Sequence, residues 1–343
     1  MKYSRYLLSK IGWAFLTILF VILLNFFLFR ILPGDPARRG LKDPRLTAQA
    51  VEAIQIRFGL DKPVINCIET VNPFSFGDCL VNPLQTQFFI YIGNLLQGEL
   101  GISYHTNRPV IDMLGEGLWN TVLLIGAGQI LSIIIGIFWG ILIAWKSRTI
   151  FDHVSVITGL VAWSIPTYFL GIILLFWGTK QFGLPIGGKI TSGVTFETAT
   201  DQWLDIGRHM ILPTLTYTIL YIGQYLLFMR STMLDVLSED YILTAKAKGL
   251  STFEILNKHA LKNSLLPIVT IIALNLGFTV AGAIFIETVF SWPGLGQATI
   301  QAVGRRDYPM LQGAFMLLAV CVIFANLIAE LLYSYLDPRI QTT

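Results

Sequence analysis

The chain has 343 residues, 54% of them hydrophobic and only 13% charged, with a mean hydropathy of +0.65. A soluble domain carries about 25% charged residues, so this composition excludes one and describes a chain that crosses a membrane several times. The net charge of +3, with no basic stripe beyond the usual enrichment of cytoplasmic loops, argues against nucleic-acid binding.

Lys2, Arg5 and Lys10 precede an apolar run over residues 11–29. At 1.5 Å per residue that run reaches about 28 Å, enough to cross a bilayer core. It exceeds a signal-peptide core and no small-residue cleavage site follows, so a retained first span with its basic end inside is expected. Residues 33–117 are polar and rich in proline, which predicts an extracytoplasmic insert. Cys67 and Cys79 share this insert. In an oxidising compartment they are candidates for a disulfide worth about 3 kcal/mol; two free thiols are the alternative. Cys321 lies in an apolar run and reads as a small buried residue.

Five further spans are predicted at 119–145, 154–178, 210–229, 265–286 and 310–336. The loop with Lys146 and Arg148 falls on the side of the basic N-terminus. So does the loop with Arg230, Lys246, Lys248, Lys258 and Lys262, which gives an N-in, C-in topology. In the second span Gly128, Ser132, Gly136 and Gly140 recur every four positions. Such a stripe lets helix backbones approach closely in lipid. Pro166 falls inside the third span and predicts a kink. No ionisable residue lies near the middle of any span; Asn25, Gln129, Gln224, Asn275 and Asn326 are the main polar groups there. Proton- and ion-coupled carriers place charges at depth, so a carrier built this way draws its energy from elsewhere.

Enzymatic readings find no support. GLPIGGKI at 183–190 imitates a phosphate loop but lacks the Ser or Thr after its lysine and has no preceding strand. HExxH, GxSxG and paired intramembrane aspartates are absent from the sequence. The four histidines are scattered, so a metal site is not expected. No catalytic, cofactor or metal residue is assigned.

The best specified polar stretch is 238–267. Residues 241–248 predict a short helix, with Gly249 at the position of a helix-ending glycine. Ser251 and Glu254 form a capping box, Leu250 and Ile255 its hydrophobic staple, and Glu254, Lys258 and Lys262 a ladder at i, i+4. An ordinary amphipathic loop and a docking element for a soluble partner both fit this pattern.

DYILTAKAKGL followed by KHALKNSLLP resembles the coupling loop of ABC-importer permeases. Leu243, Thr244 and Ala245 occupy the positions of its EAA triplet and Gly249 those of its glycine. Leu243 in place of an acidic residue and Thr244 in place of alanine match the oligopeptide/dipeptide/nickel branch. LPGDPA at 32–37, FGLDKP at 58–63, LLQGELGIS at 95–103, SIPTYFLG at 164–171, ILPTLT at 211–216, ETVFSWPGLG at 287–296, RDYPMLQG at 306–313 and the terminal LDPRI extend the likeness, in order, along the first permease subunit of that branch. Residues 64–87 depart from it as an insertion.

The resemblance implies an all-α integral membrane protein: a six-span type I ABC-importer permease with a small extracytoplasmic insert between spans 1 and 2. Its parts are the N-terminus and first span (1–32), the insert (33–117), the transmembrane domain (118–337, with coupling loop 231–264) and a cytoplasmic tail (338–343). Implied partners are a homologous second permease, two ABC ATPase subunits that bind ATP and Mg²⁺, an extracytoplasmic solute-binding protein and the bilayer. The implied location is a bacterial or archaeal inner membrane. Leu243, Thr244, Ala245, Ala247, Gly249, Leu250, Ser251 and Glu254 are the ATPase-coupling candidates, with the coupling helix near 245–251. Di- and oligopeptides are the favoured solutes. Nickel chelates, glutathione and oligosaccharides are alternatives, and a membrane scaffold or sensor subunit is the non-transport reading.

Overall fold

The computed structural model describes residues 2–31, 49, 86–282 and 284–336. Among these the structure is helical, with one isolated bridge between Ile102 and Pro109. Cys67 and Cys79 lie outside the described residues.

The first apolar run forms α1 (Lys2–Ile31). After α2 (Gln87–Leu96) and a short turn, α3 runs over Val110–Trp145. It begins nine residues before the expected span, so the end of the expected insert is helix continuous with the membrane segment. The third apolar region is two helices, α4 (Ile150–Ser164) and α5 (Thr167–Phe182), bent by 100°. A kink was expected from Pro166; the break is complete. Proline clashes with a helical residue before it, and Ile165 is accordingly extended at ψ 131°, as is Pro166 itself. Next come α6 (Ala199–Leu237), which carries Pro213 inside it, and α7 (Asp240–Ala247). One turn, α8 (Thr252–Glu254), opens into a π-helical turn over Ile255–Ala260 and then α9 (Leu261–Gly282). The chain closes with α10 (Ile284–Val289), α11 (Leu295–Arg305) and α12 (Tyr308–Leu336).

Among the described residues four segments are long and apolar enough to cross a membrane: Leu8–Phe29, Val110–Trp145, Ala199–Leu237 and Tyr308–Leu331. The bent pair α4–α5 makes a fifth if it counts as one span.

The chain divides into two compact units. The larger is built mainly from Leu118–Gln297 around α6. On one side of α6 lies the glycine stripe of α3. A Cβ on Gly128 would fall 2.9 Å from the Tyr217 Cβ, one on Gly136 2.6 Å from that of Tyr225, and one on Gly140 2.6 Å from that of Met229. Both series advance together, so α3 and α6 run parallel with their backbones close. Ser132, also buried, donates its hydroxyl to the Gln129 carbonyl (2.9 Å). On another side α4 crosses α6 in the opposite sense, with Gly159 against Gly223. Larger side chains at these positions would force the helices apart, which is why small residues hold them.

The smaller unit, Phe15–Gly117 with Ala298–Val320, is held by aromatic and polar contacts. Phe26 is fully buried against Phe88 and Tyr91, at centroid distances of 5.2 and 5.5 Å. Asn25 donates to the Gln312 carbonyl (3.0 Å). Buried Asp307 accepts the Ser103 hydroxyl (2.5 Å) and the Tyr104 N–H (3.2 Å), pinning the turn before α3 to the start of α12.

Candidate functional site

The corner at 240–260 is built from local chemistry. Helix α7 ends in a full Schellman arrangement. The Leu250 N–H reaches the Ala245 carbonyl (3.4 Å), the Gly249 N–H reaches that of Lys246 (2.9 Å), and Gly249 sits at φ +76°. Side chains rarely adopt that φ, whereas glycine does so at no steric cost. The next turn opens with a complete capping box: Ser251 Oγ accepts the Glu254 N–H (3.3 Å) and Glu254 Oε2 accepts the Ser251 N–H (3.1 Å). These hydrogen bonds from Ser251, followed by the Lys258 ammonium at 3.2 Å, hold the Glu254 carboxyl below its ordinary range. Lys258 is the only rung of the expected ladder that pairs with Glu254 among the described residues. The π-turn over Ile255–Ala260 breaks the four-residue register before Lys262.

One apolar cluster anchors the corner to the transmembrane helices. Ile242 and Ala245 of α7 and Ile255, Leu256 and Ala260 of the second arm bury themselves against Met229 and Met233 of α6, Ala144 of α3 and Ile268 of α9, with Leu250 at the edge. The opposite face is open: Leu243 is 59% exposed and Phe253 66%. Thr244, Ala247, Gly249 and Ser251 are exposed too, and Leu250 and Glu254 are half-buried. Of the eight coupling candidates, Ala245 therefore faces inward. The helix itself spans Asp240–Ala247, so 245–251 is its end and the corner. Tyr241 and Phe253 complete the exposed apolar face. Their period-less spacing across two helices gave no signal in the sequence.

A second corner lies at the far end of α9. Glu287 is fully buried. It accepts the Thr121 hydroxyl (2.5 Å) and the Gln297 N–H (2.9 Å), and Gly296 N–H also hydrogen-bonds it. Burial pushes its carboxyl above the ordinary range, while those donors pull the other way. Trp292 Nε1 donates to the Asn120 carbonyl (2.9 Å), the Asn120 amide to that of Pro293 (2.8 Å), and Lys189 to Asn120 Oδ1 (2.7 Å). The glycine-rich 183–190 segment is thus a turn packed on this corner, with the Gly188 N–H on the Phe290 carbonyl (2.9 Å).

Three of the expected intramembrane polar groups come together. Asn275 donates to Gln224 Oε1 (3.2 Å) and to the Tyr225 hydroxyl (3.0 Å). Gln129 also reaches that hydroxyl, and Tyr217 donates to Gln129 Oε1 (2.5 Å). Cys321 is half-buried on α12, not buried as expected. Arg230, assigned to a loop by its sequence, is inside α6. Its Nε and Nη2 reach the two carboxylate oxygens of buried Asp152 at 2.5 and 2.7 Å.

Residues 136–342 match the family described as the inner membrane component of binding-protein-dependent transport systems, and residues 3–125 match its N-terminal membrane-component family. The chain is 33% identical over 354 residues to the dipeptide transport system permease protein of Escherichia coli, with 98% of each chain covered. It is likewise 33% identical over 358 residues to the di/tripeptide transport system permease protein of Pseudomonas aeruginosa, again with 98% of each covered. The same identity, over 338 residues and 98% of this chain and 99% of the other, relates it to the glutathione transport system permease protein of Escherichia coli. The chain therefore belongs to the family of inner membrane components of binding-protein-dependent transport systems, and is a permease subunit of an ABC importer.

Proposed function

We propose that this permease pairs with a homologous second permease to form the pathway for di- and oligopeptides. An extracytoplasmic binding protein delivers the solute, and two ATPase subunits dock on the 240–260 corner and bind the ATP and Mg²⁺. Short peptide is the chemistry common to the solutes in the relatives' names, dipeptide, di/tripeptide and glutathione. The topology we favour has six spans with both termini inside: α1, α3, the pair α4–α5, α6, α9 and α12. Parallel α3 and α6 support it. The chain leaves α3 at one face and enters α6 at the other, so α4–α5 has to traverse the membrane between them. Residues 33–117 then lie outside, where Cys67 and Cys79 form a disulfide. Alkylation of both thiols in unreduced membranes would refute that bridge.

The observation that carries the docking assignment is an apolar, exposed face on a corner anchored by an apolar cluster. Leu243 and Phe253 stand open while the residues behind them are buried among three transmembrane helices. Among the described residues a Cβ on Gly249 would meet nothing within 4 Å. The space beside it is therefore open to a partner, and among the described residues its φ of +76° is what opposes a side chain. That strain costs about 1–2 kcal/mol, too little to unfold a membrane domain of this size. Gly249→Val should insert at normal levels and copurify with less ATPase, and solute-stimulated ATP hydrolysis in liposomes should collapse. Transport at the normal rate would sink the docking assignment.

A further inference from the structure

Along the packed interface of α4 and α6 two contacts are set by specific chemistry. The first is the crossing of Gly159 and Gly223, where a Cβ on Gly223 would fall on the Gly159 carbonyl oxygen. The second is the Asp152–Arg230 ion pair. Counting from 152 to 159 on α4, and from 223 to 230 on α6, the two anchors are seven positions apart on each helix. That is two turns, about 10 Å along the interface. At the glycine crossing the Leu226 side chain lies against Gly159, a Cβ there falling 3.2 Å from Leu226 Cδ2. Apolar contact of this kind sets distance more than rotation, so the crossing acts as a pivot. A bidentate guanidinium–carboxylate pair two turns away removes the rotation, because its two parallel N–H···O bonds fix orientation as well as distance.

The surroundings of the pair point to force transmission. Asp152 has no exposed surface. Besides both Arg230 nitrogens it accepts the Arg148 N–H (2.9 Å), so it also holds the α3–α4 turn, where Arg148 sits at φ +65°. Arg230 stands between Met229 and Met233, which are fully buried in the cluster that anchors the coupling corner. One face of this stretch of α6 is thus gripped by the corner and the adjoining face by α4. Beyond Gly159, α4 leads to the break at Pro166 and to α5.

We propose that the Asp152–Arg230 pair is the clamp that carries displacement of the coupling corner into α4 and α5, by turning the Gly159–Gly223 pivot into a rigid two-point joint. The proposal rests on the corner being the ATPase contact. Both residues are positioning residues: neither needs to touch solute or nucleotide.

The test uses the whole importer, both permeases with both ATPases, in proteoliposomes. Cys67, Cys79 and Cys321 are replaced by serine, and spin labels are placed at Ile157→Cys on α4 and Phe228→Cys on α6, both exposed positions. With the clamp intact, the label distance should be a single narrow population, the same without nucleotide and with trapped ATP–vanadate. Asp152→Asn should broaden it already without nucleotide and make it differ between the two states. Uptake of a radiolabelled dipeptide mixture per ATP hydrolysed should fall by about tenfold, within the range of ordinary coupling energies. Arg230→Lys keeps the charge and loses the fork, and should broaden the distance less. An unchanged narrow distribution in Asp152→Asn overturns the clamp. So does loss of both variants from the membrane, which would assign the pair to folding alone. The nucleotide-free distance judges the clamp by itself. ATPase copurification and Gly249→Val judge the docking surface, so the failure of one is distinct from the failure of the other.

Discussion

The two corners at the ends of α9 solve the problem of turning a chain beside a membrane in opposite ways. At 240–260 the polar groups that make the turn, Ser251 and Glu254, sit at the surface, and the buried side is wholly apolar. At 284–297 a carboxylate is the centre of the turn. Glu287 is enclosed with Trp292, Ile286 and Phe290 buried around it, and its donors come from Thr121 and from the start of α11. A buried polar centre tolerates no error, because each donor lost leaves an unsatisfied acceptor. An apolar centre with exposed caps can shift slightly and still be satisfied. The buried polar centre at 284–297 suits a fixed structural corner, and the apolar centre at 240–260 suits the docking role proposed for it.

The same substitution at the two corner glycines should break this contrast if it is wrong. At Gly296 a Cβ would lie 2.7 Å from the Ile284 Cα and 3.0 Å from Glu287 Oε2, and at Gly294 it would run into the Glu287 carboxylate. Neither neighbour can yield, one being backbone and the other held by three donors. Overpacking of about 1–3 kcal/mol would add to the roughly 1–3 kcal/mol of a buried acceptor stripped of its donor. Gly296→Val should therefore leave little folded permease in the membrane, whereas Gly249→Val accumulates normally and fails only in coupling. Detergent-solubilised yield and size-exclusion profile of the two variants measure the difference. Equal yields would mean that the Glu287 corner is not rigid.

What was legible in the sequence follows the same division. The hydrogen bonds that turn and cap the 240–260 corner join residues at most five apart, such as Leu250 to Ala245 and Ser251 to Glu254, although its apolar anchor reaches back to Ala144. Helix-capping chemistry of that range is written in consecutive letters. The Glu287 corner joins Thr121 to Glu287 and Asn120 to Trp292, more than 160 positions apart. No local pattern announces such pairs. The Asp152–Arg230 pair was missed for the same reason: its members are 78 positions apart, Arg230 reading as a loop charge and Asp152 falling just before the third predicted span. The glycine stripe of α3 was visible as a period of four, but not its partner, because Tyr217, Tyr225 and Met229 share no distinguishing composition. Pro166 marked the right place in the third span. A lone proline does not say whether a helix kinks or stops, since that depends on the backbone of the residue before it.

A smaller effect sharpens the contrast, because the two carboxylates should respond to pH with opposite sign. Burial raises the Glu287 carboxyl above its ordinary value of 4.5, so the protonated form is favoured in the folded state. The stability it contributes is complete below that ordinary value and is lost as pH rises through the raised folded value. Glu254 is lowered from 4.5 by the Ser251 hydrogen bonds and Lys258. Its contribution is present above the ordinary value and is lost as pH falls through the lowered one. Raising pH from the acid side should therefore loosen the 284–297 segment while tightening 248–260. Hydrogen exchange of the two segments, corrected for the intrinsic rate at each pH, reads both in one sample. Glu287→Gln should remove the first trend and leave the second, and Glu254→Gln the reverse. Parallel trends in the wild-type protein would show that the two corners do not differ in how they hold their carboxylates.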